Sequence, residues 1–238
     1  MKKLLIISLF IASAFCINQF ANISTASVPK TVIINYEPSH EEAVIAMSYE
    51  DSLLFFIGSA LVDKGQISKQ EFEELNLPGM KELLADSAKV KRVIVDSEKV
   101  VGYSSFYKTL EPSIEATMKQ LEEYLTAQGA AVTPEMEAAV IAQNPHMKRT
   151  IAECKPIVLI EAVVVSGEFR RKGHAKALLN DAIHYIQANW PEVEYVILNV
   201  NAANEGARKL YEMQGFKVSE KQAAFLKAIE AIQYEKAV

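Results

Sequence analysis

The 238 residues allow one large domain or two small ones, and half of them are hydrophobic, enough to build a sizeable core. A formal charge of −5 without any basic stripe argues against a nucleic-acid-binding surface.

Taken in chain order, Met1 to about Ser27 reads as an export leader. Lys2-Lys3 supply a positive start, and Leu4 to Phe15 an apolar run too short to span a bilayer comfortably. Small-residue cleavage sites follow at Ala12-Ser13-Ala14 and Ser24-Thr25-Ala26, while Phe15 before Cys16 is wrong for a lipoprotein. Residues 1–27 are therefore expected to be removed and 28–238 to form the domain. Loss of the leader leaves Cys154 alone, so no internal disulfide is expected. A start at the next methionine, Met47, would delete the apolar segment Val32–Tyr36 and the capping box Ser39-x-x-Glu42. The expectation is an exported protein, periplasmic or secreted, that meets the membrane only through its leader; a cytoplasmic location is the alternative.

Thr31 to Tyr36 predicts a strand. Helices are predicted from Ser39 to about Val62 and from a second capping box, Ser68-x-x-Glu71, with a break at Pro78-Gly79. Glu37 to Ser87 holds 11 acidic and 3 basic residues. Such a run is either a solvated helix face or a wall that attracts a cation. Val90–Val95 and Val100–Tyr107 predict a hairpin around Asp96-Ser97-Glu98-Lys99. Residues 111–155 then read as helical: Ile114, Met118, Leu121 and Leu125 share one face, and Thr133-Pro134 starts a second helix. This segment could decorate a sheet edge, make a homodimer contact or close over a substrate.

Ile157 to Val165 is a β-branched apolar run, too continuous for a strand with one wet face. After Ser166-Gly167-Glu168 come Arg170-Arg171-Lys172-Gly173-His174-Ala175. Beyond them Ala175, Leu178, Leu179, Ala182, Ile183 and Ile186 repeat at helical spacing. A buried strand thus feeds a basic, glycine-containing turn that opens a helix. The unpaired N–H groups and positive dipole of a helix start favour an anion, and Gly173 admits it close to the backbone. Neither a Walker A loop nor a dinucleotide fingerprint is present. Val193–Val200 predicts a strand, Asn204–Met213 a helix ended by Gly215, and Phe216–Phe225 with Ile229–Tyr234 a final hairpin. The histidines (His40, His146, His174, His184) show no ligand spacing with the cysteines, so no metal site is predicted, and no G-x-S-x-G elbow suggests a hydrolase.

Two ordered motifs carry a resemblance. Val165-x-Gly167-Glu168-Phe169-Arg170-Arg171-Lys172-Gly173-His174-Ala175 resembles the pyrophosphate-binding motif of the GNAT-type N-acetyltransferase superfamily, with Gly167 where the family usually has proline. Asn204-x-x-Ala207-x-x-Leu210-Tyr211-x-x-x-Gly215-Phe216 resembles the family's second motif. The resemblance is weak before Lys91 and across 111–155. It implies an α/β fold: a mixed, mostly antiparallel sheet flanked by helices, here with a helical insertion before the central strand. It also implies acetyl-CoA as co-substrate, held by Arg170, Arg171, Lys172, Gly173, His174 and Ala175 at the turn, by the backbone of Val163, Val164 and Val165, and by Asn204. The acceptor would be a primary amine, possibly a cationic one. Glu161 matches a position that often carries the family's base, and desolvation inside an apolar strand makes a carboxylate more basic; pairing with a neighbouring cation is its structural alternative. Tyr211 occupies the position of the acid that serves the departing thiolate, or else is a packed aromatic. The rival function is a catalytically silent acyl-CoA-binding module acting outside the cytoplasm.

Overall fold

The computed structural model describes residues 31–50, 68–127, 129–220 and 231–238. The leader, the far end of the helix expected to reach Val62, and the turn of the final hairpin lie outside the described residues. Among the described residues no helix is long and apolar enough to cross a membrane.

Strand β1 (Thr31–Asn35) is followed by a 3-10 turn (Pro38–His40) and helix α1 (Glu41–Glu50). The expected cap at Ser39 is displaced. Glu37 takes the N-cap position, its N–H donating to His40 Nδ1 at 3.0 Å, and Ser39 lies inside the turn. Helix α2 (Lys69–Ala85) starts on the predicted box: Ser68 Oγ accepts from the Glu71 N–H, and Glu71 Oε2 accepts from the Ser68 N–H. It does not break at Pro78. Phe72, Met80 and Leu84 are buried along the helix, and their packing offsets the hydrogen bond that proline cannot make.

Strands β2 (Val90–Asp96) and β3 (Lys99–Leu110) form the expected hairpin, with Ser97 and Glu98 both at positive φ in the tight turn. Helices α3 (Ile114–Ala127) and α4 (Pro134–Gln143) make up the insertion, and Thr133 caps the second. Strand β4 (Pro156–Val165), helix α5 (His174–Asn189), β5 (Tyr195–Asn201), α6 (Glu205–Met213), β6 (Lys217–Val218) and β7 (Ala231–Ala237) complete the chain.

Among the described residues seven strands run in the order β1-β2-β3-β4-β5-β7-β6, and of their pairs only β4 and β5 are parallel. The predicted mixed, mostly antiparallel sheet is what forms. Each face has its own core. On one, Val44 and Met47 of α1 and Leu84 of α2 pack on Val93, Tyr103 and Val164. On the other, Leu179, Ala182, Ile183 and Ile186 of α5 and Tyr211 of α6 pack on Val158, Ile160, Val196, Leu198 and Tyr234. A fully buried leucine or isoleucine contributes about 1.5–3 kcal/mol, so α5 is held firmly and the turn before it is fixed in place.

The insertion leaves the sheet after β3 and returns before β4. Its base is closed by backbone bonds from the Ile114 N–H to the Lys148 carbonyl (2.8 Å) and from the Glu111 N–H to the Lys155 carbonyl (2.9 Å). Residues 146–148 face Tyr195 and Ile197 of β5 and Glu235 of β7 across a cavity of about 80 Å³.

Candidate active site

The parallel pair that centres the sheet is short. Val158 faces Val196, Leu159 faces Ile197 and Ile160 faces Leu198, and no further row forms. Strand β4 nevertheless runs on to Val165, while β5 stays paired with β7 along its whole length, from Tyr195 to Asn201. Residues 161–165 therefore leave β5, and the two strands splay. The cause lies on the other edge of β4. There Ser105 faces Ala162 and Phe106 faces Ile160, so Glu161 is an extra residue, a bulge that bends the strand.

Glu161 stands on that bulge. Its carboxylate accepts two hydrogen bonds from Lys89 Nζ, at 2.8 and 2.9 Å, and one from Ser105 Oγ at 3.3 Å. Its side chain is 26 % exposed, so the desolvated carboxylate expected from the apolar run is instead a partly solvated one bound to a cation. Lys89 Nζ also lies 5.2 Å from the centre of the Tyr107 ring. Burial first, and then the charge of Glu161, push the Tyr107 phenol above its ordinary value, so it remains neutral beneath the ammonium.

Asn199 is the first residue of β5 beyond the last paired row. Its Oδ1 is buried and has no hydrogen-bond partner among the described residues. A buried amide oxygen without a donor is costly, and such groups occur where a ligand or water completes them. Neither family motif includes Asn199. The available signal was one polar residue inside the apolar run from Val196 to Val200.

At the other end of β4, residues 167–169 form a short 3-10 turn, Arg171 has φ 64° and Gly173 has φ 88° as N-cap of α5. Gly173 offers no side chain to the first turn of α5, so no side chain of the N-cap residue caps the N–H groups there. A Cβ built on Gly173 would meet nothing within 4 Å: the space above the backbone is open. Ala175 is half-buried in the same first turn. Arg170 donates from Nε to the Val165 carbonyl at 3.1 Å and so joins the turn to the released edge of Val163, Val164 and Val165. Lys172 Nζ sits 4.4 Å from the Phe169 ring centre, and the Arg171 guanidinium lies near Gly206 of α6. The imidazole of His174 turns inward, 7 % exposed, with Nε2 3.9 Å from Asp96 Oδ2. What His174 can offer at the turn is its backbone N–H.

Asn204 caps α6, its Oδ1 accepting from the Ala207 N–H at 3.1 Å. Tyr211 is buried, its ring 6.0 Å from both Phe216 and Tyr234. The second motif thus builds the capped start of α6 and a buried aromatic contact between Tyr211 and Phe216.

The sequence model of the acetyltransferase (GNAT) family matches residues 63–216. The chain belongs to the GNAT family. Several solved structures are similar to this GNAT chain at low identity. Arabidopsis thaliana NAA60, in complex with a bisubstrate analogue, is 17 % identical, with 87 % of this chain and 97 % of that one covered and a TM-score of 0.49. A GNAT acetyltransferase from Streptococcus pneumoniae is 16 % identical, at 87 % and 99 % coverage and a TM-score of 0.46. The ribosomal-protein-S18-alanine N-acetyltransferase of Escherichia coli is 13 % identical, at 87 % and 94 % coverage and a TM-score of 0.46. No curated protein matches the sequence.

The acidic stretch of this GNAT chain is partly gathered between α1 and α2. Glu41, Glu42, Glu73 and Glu74 line a cleft of about 560 Å³ together with Tyr49 and Lys81. The insertion touches the β5–β7 side of the sheet through its base.

Proposed function

We propose that the protein transfers an acetyl group from acetyl-CoA to a primary amine by direct attack. The observation that carries this reading is the splay of β4 from β5 immediately beyond Ile160, with the Glu161 bulge beside it and the uncapped start of α5 at its end. The residues present suit an acyl-CoA. The open space over Gly173 and the N–H groups of Gly173, His174 and Ala175 at the helix start would take the pyrophosphate, with Arg170, Arg171 and Lys172 adding positive charge. The released edge of Val163 to Val165 would pair with the pantetheine amides as a further strand, and Asn204 would approach it from α6. Bound acetyl-CoA supplies the activated thioester carbonyl.

The residues of the chain supply the rest. A protonated amine has a pKa near 10, so it must lose a proton before it can attack. Glu161 accepts that proton, directly or through water. Tyr211 serves the leaving sulfur as proton donor, and the ring packing against Phe216 and Tyr234 fixes where its phenol points. The acidic cleft between α1 and α2 would favour a cationic acceptor.

One observation favours a second reading. Lys89 occupies both oxygens of Glu161, as expected of a module that keeps the acyl-CoA pocket without catalysis. Free-thiol release from acetyl-CoA across a panel of primary amines, beside calorimetric titration with acetyl-CoA, separates the two. Binding with thiol release supports the enzyme, and binding without it leaves the silent module. The same reading takes residues 1–27 as a cleaved export leader. Intact mass of protein from its native cell tests this, and a full-length cytosolic species retaining Met1 counts against it.

A further inference from the structure

The ammonium of Lys89 stands where the proposed reaction would hold its acceptor. Both oxygens of Glu161 bind it, Asp86 Oδ2 lies 4.0 Å away and the Tyr107 ring lies beneath it. A carboxylate with an aromatic face is how a protein holds a primary ammonium from any source. Its shelter also distinguishes this lysine from other ion-paired lysines of the chain. The Lys89 side chain is 15 % exposed, whereas Lys99, Lys108 and Lys155, also ion-paired, are 59 %, 43 % and 54 % exposed. We propose that Lys89 is an acceptor within the same molecule: the site acetylates its own Lys89 Nζ. This rests on the acetyl transfer proposed above and adds to it a modification site and a first substrate.

The step balances with acetyl-CoA as the only co-reactant. Lys89 Nζ gives one proton to the Glu161 carboxylate, which passes it to solvent. The neutral nitrogen then forms a bond to the thioester carbonyl carbon, and the carbon–sulfur bond breaks. The sulfur leaves with the electron pair and takes a proton through Tyr211, while nitrogen loses its second proton. The products are an amide at Lys89 and free coenzyme A. Acetylation removes the charge at Nζ, so the ion pair with Glu161 is lost.

The test incubates the full purified chain with acetyl-CoA and follows each lysine by peptide mass mapping over time. Spontaneous acetylation favours exposed amines, so it ranks Lys99 and Lys155 above Lys89. Expected instead is acetyl on Lys89 first, at a rate per molecule that does not change on dilution. Glu161→Gln should slow that modification by roughly 10²-fold or more. Because this variant also alters the grip on Lys89, Tyr211→Phe serves as a second variant: it leaves Glu161 and Tyr107 in place and should slow the same modification. An unmodified Lys89 in protein that acetylates an added amine overturns the proposal and leaves the transferase reading standing. Modification of Lys89 no faster than of Lys99, or at a rate that falls on dilution, also overturns it. If neither Lys89 nor any added amine is acetylated, both readings fall.

Discussion

Lys89 and Glu161 meet across 72 residues of chain, with the lysine nitrogen 2.8 and 2.9 Å from the two carboxylate oxygens. One comes from the loop after α2 and the other from a bulge in the central strand. Their pairing joins the end of α2 to the point where β4 leaves β5. The base proposed for the reaction is thereby held in one place by a cation and a serine.

The first prediction concerns that base. Glu161→Gln keeps the shape and removes proton affinity, so kcat should fall roughly 10²–10⁴-fold while acetyl-CoA affinity is kept. The loss should shrink as pH rises and more of the acceptor is already neutral. Tyr211→Phe should lower kcat without that rescue, because its effect lies on the sulfur. The ring between Phe216 and Tyr234 is preserved, so its melting temperature should stay near the parent's. Pre-steady-state and steady-state rates against pH for both variants decide. Equal, pH-independent losses that follow melting temperature would defeat both roles.

The turn before α5 makes a second prediction. Gly173 has φ 88°, and the space where its Cβ would go is open. Gly173→Ala fits sterically but strains the backbone, costing about 1–2 kcal/mol of stability. Gly173→Glu adds a negative charge where phosphate would lie and should abolish acetyl-CoA binding by titration calorimetry. Unchanged affinity in the glutamate variant would remove the anion from this turn.

The close approach of α5 to the sheet can be tested at Gly102. A Cβ there would lie 2.7 Å from Ile94 Cγ2, 3.0 Å from the Val164 carbonyl oxygen and 3.1 Å from Leu178 Cδ1. Gly102→Ala must displace Ile94 and the Val164 backbone as well as Leu178 and should cost about 1–3 kcal/mol by urea denaturation. No loss of stability would mean that the packing around Gly102 is looser than these distances.

Tyr195 yields a pH prediction. Its hydroxyl donates to Glu111 Oε1, and burial first, then that bond and the carboxylate charge, raise the phenol above its ordinary value. The folded state therefore keeps a proton that the unfolded chain loses as pH passes about 10. Stability contributed by this proton is whole below that pH and falls above it, by up to about 1.4 kcal/mol per pH unit. Tyr195→Phe should cost about 1–2 kcal/mol at neutral pH, since Glu111 loses a donor, yet decline less steeply in alkali. Urea denaturation of both proteins should give curves that converge as pH rises. Parallel curves would contradict the raised phenol.

What local sequence could determine, it did. The apolar run from Ile157, the spacing of Leu178 to Ile186, the Ser68–Glu71 box and the glycine of the basic turn each act over one strand, one helix turn or one backbone angle. So β4, α5, the start of α2 and the glycine turn before α5 were legible, as were the family motifs. Sequence alone misread α1, where a 3-10 turn moved the cap from Ser39 to Glu37, and α2, where burial of Phe72, Met80 and Leu84 carried the helix through Pro78. Only the tertiary structure decided the working detail of the site. The bulge at Glu161 exists because β3 and β4 pair out of step, and Asn199, with its buried oxygen lacking a partner among the described residues, lies on β5 just past its last row with β4. Lys89 reaches Glu161 because α2 packs on the same face of the sheet. Those are relations between distant segments, set by which surfaces bury together, and no window of sequence contains both partners.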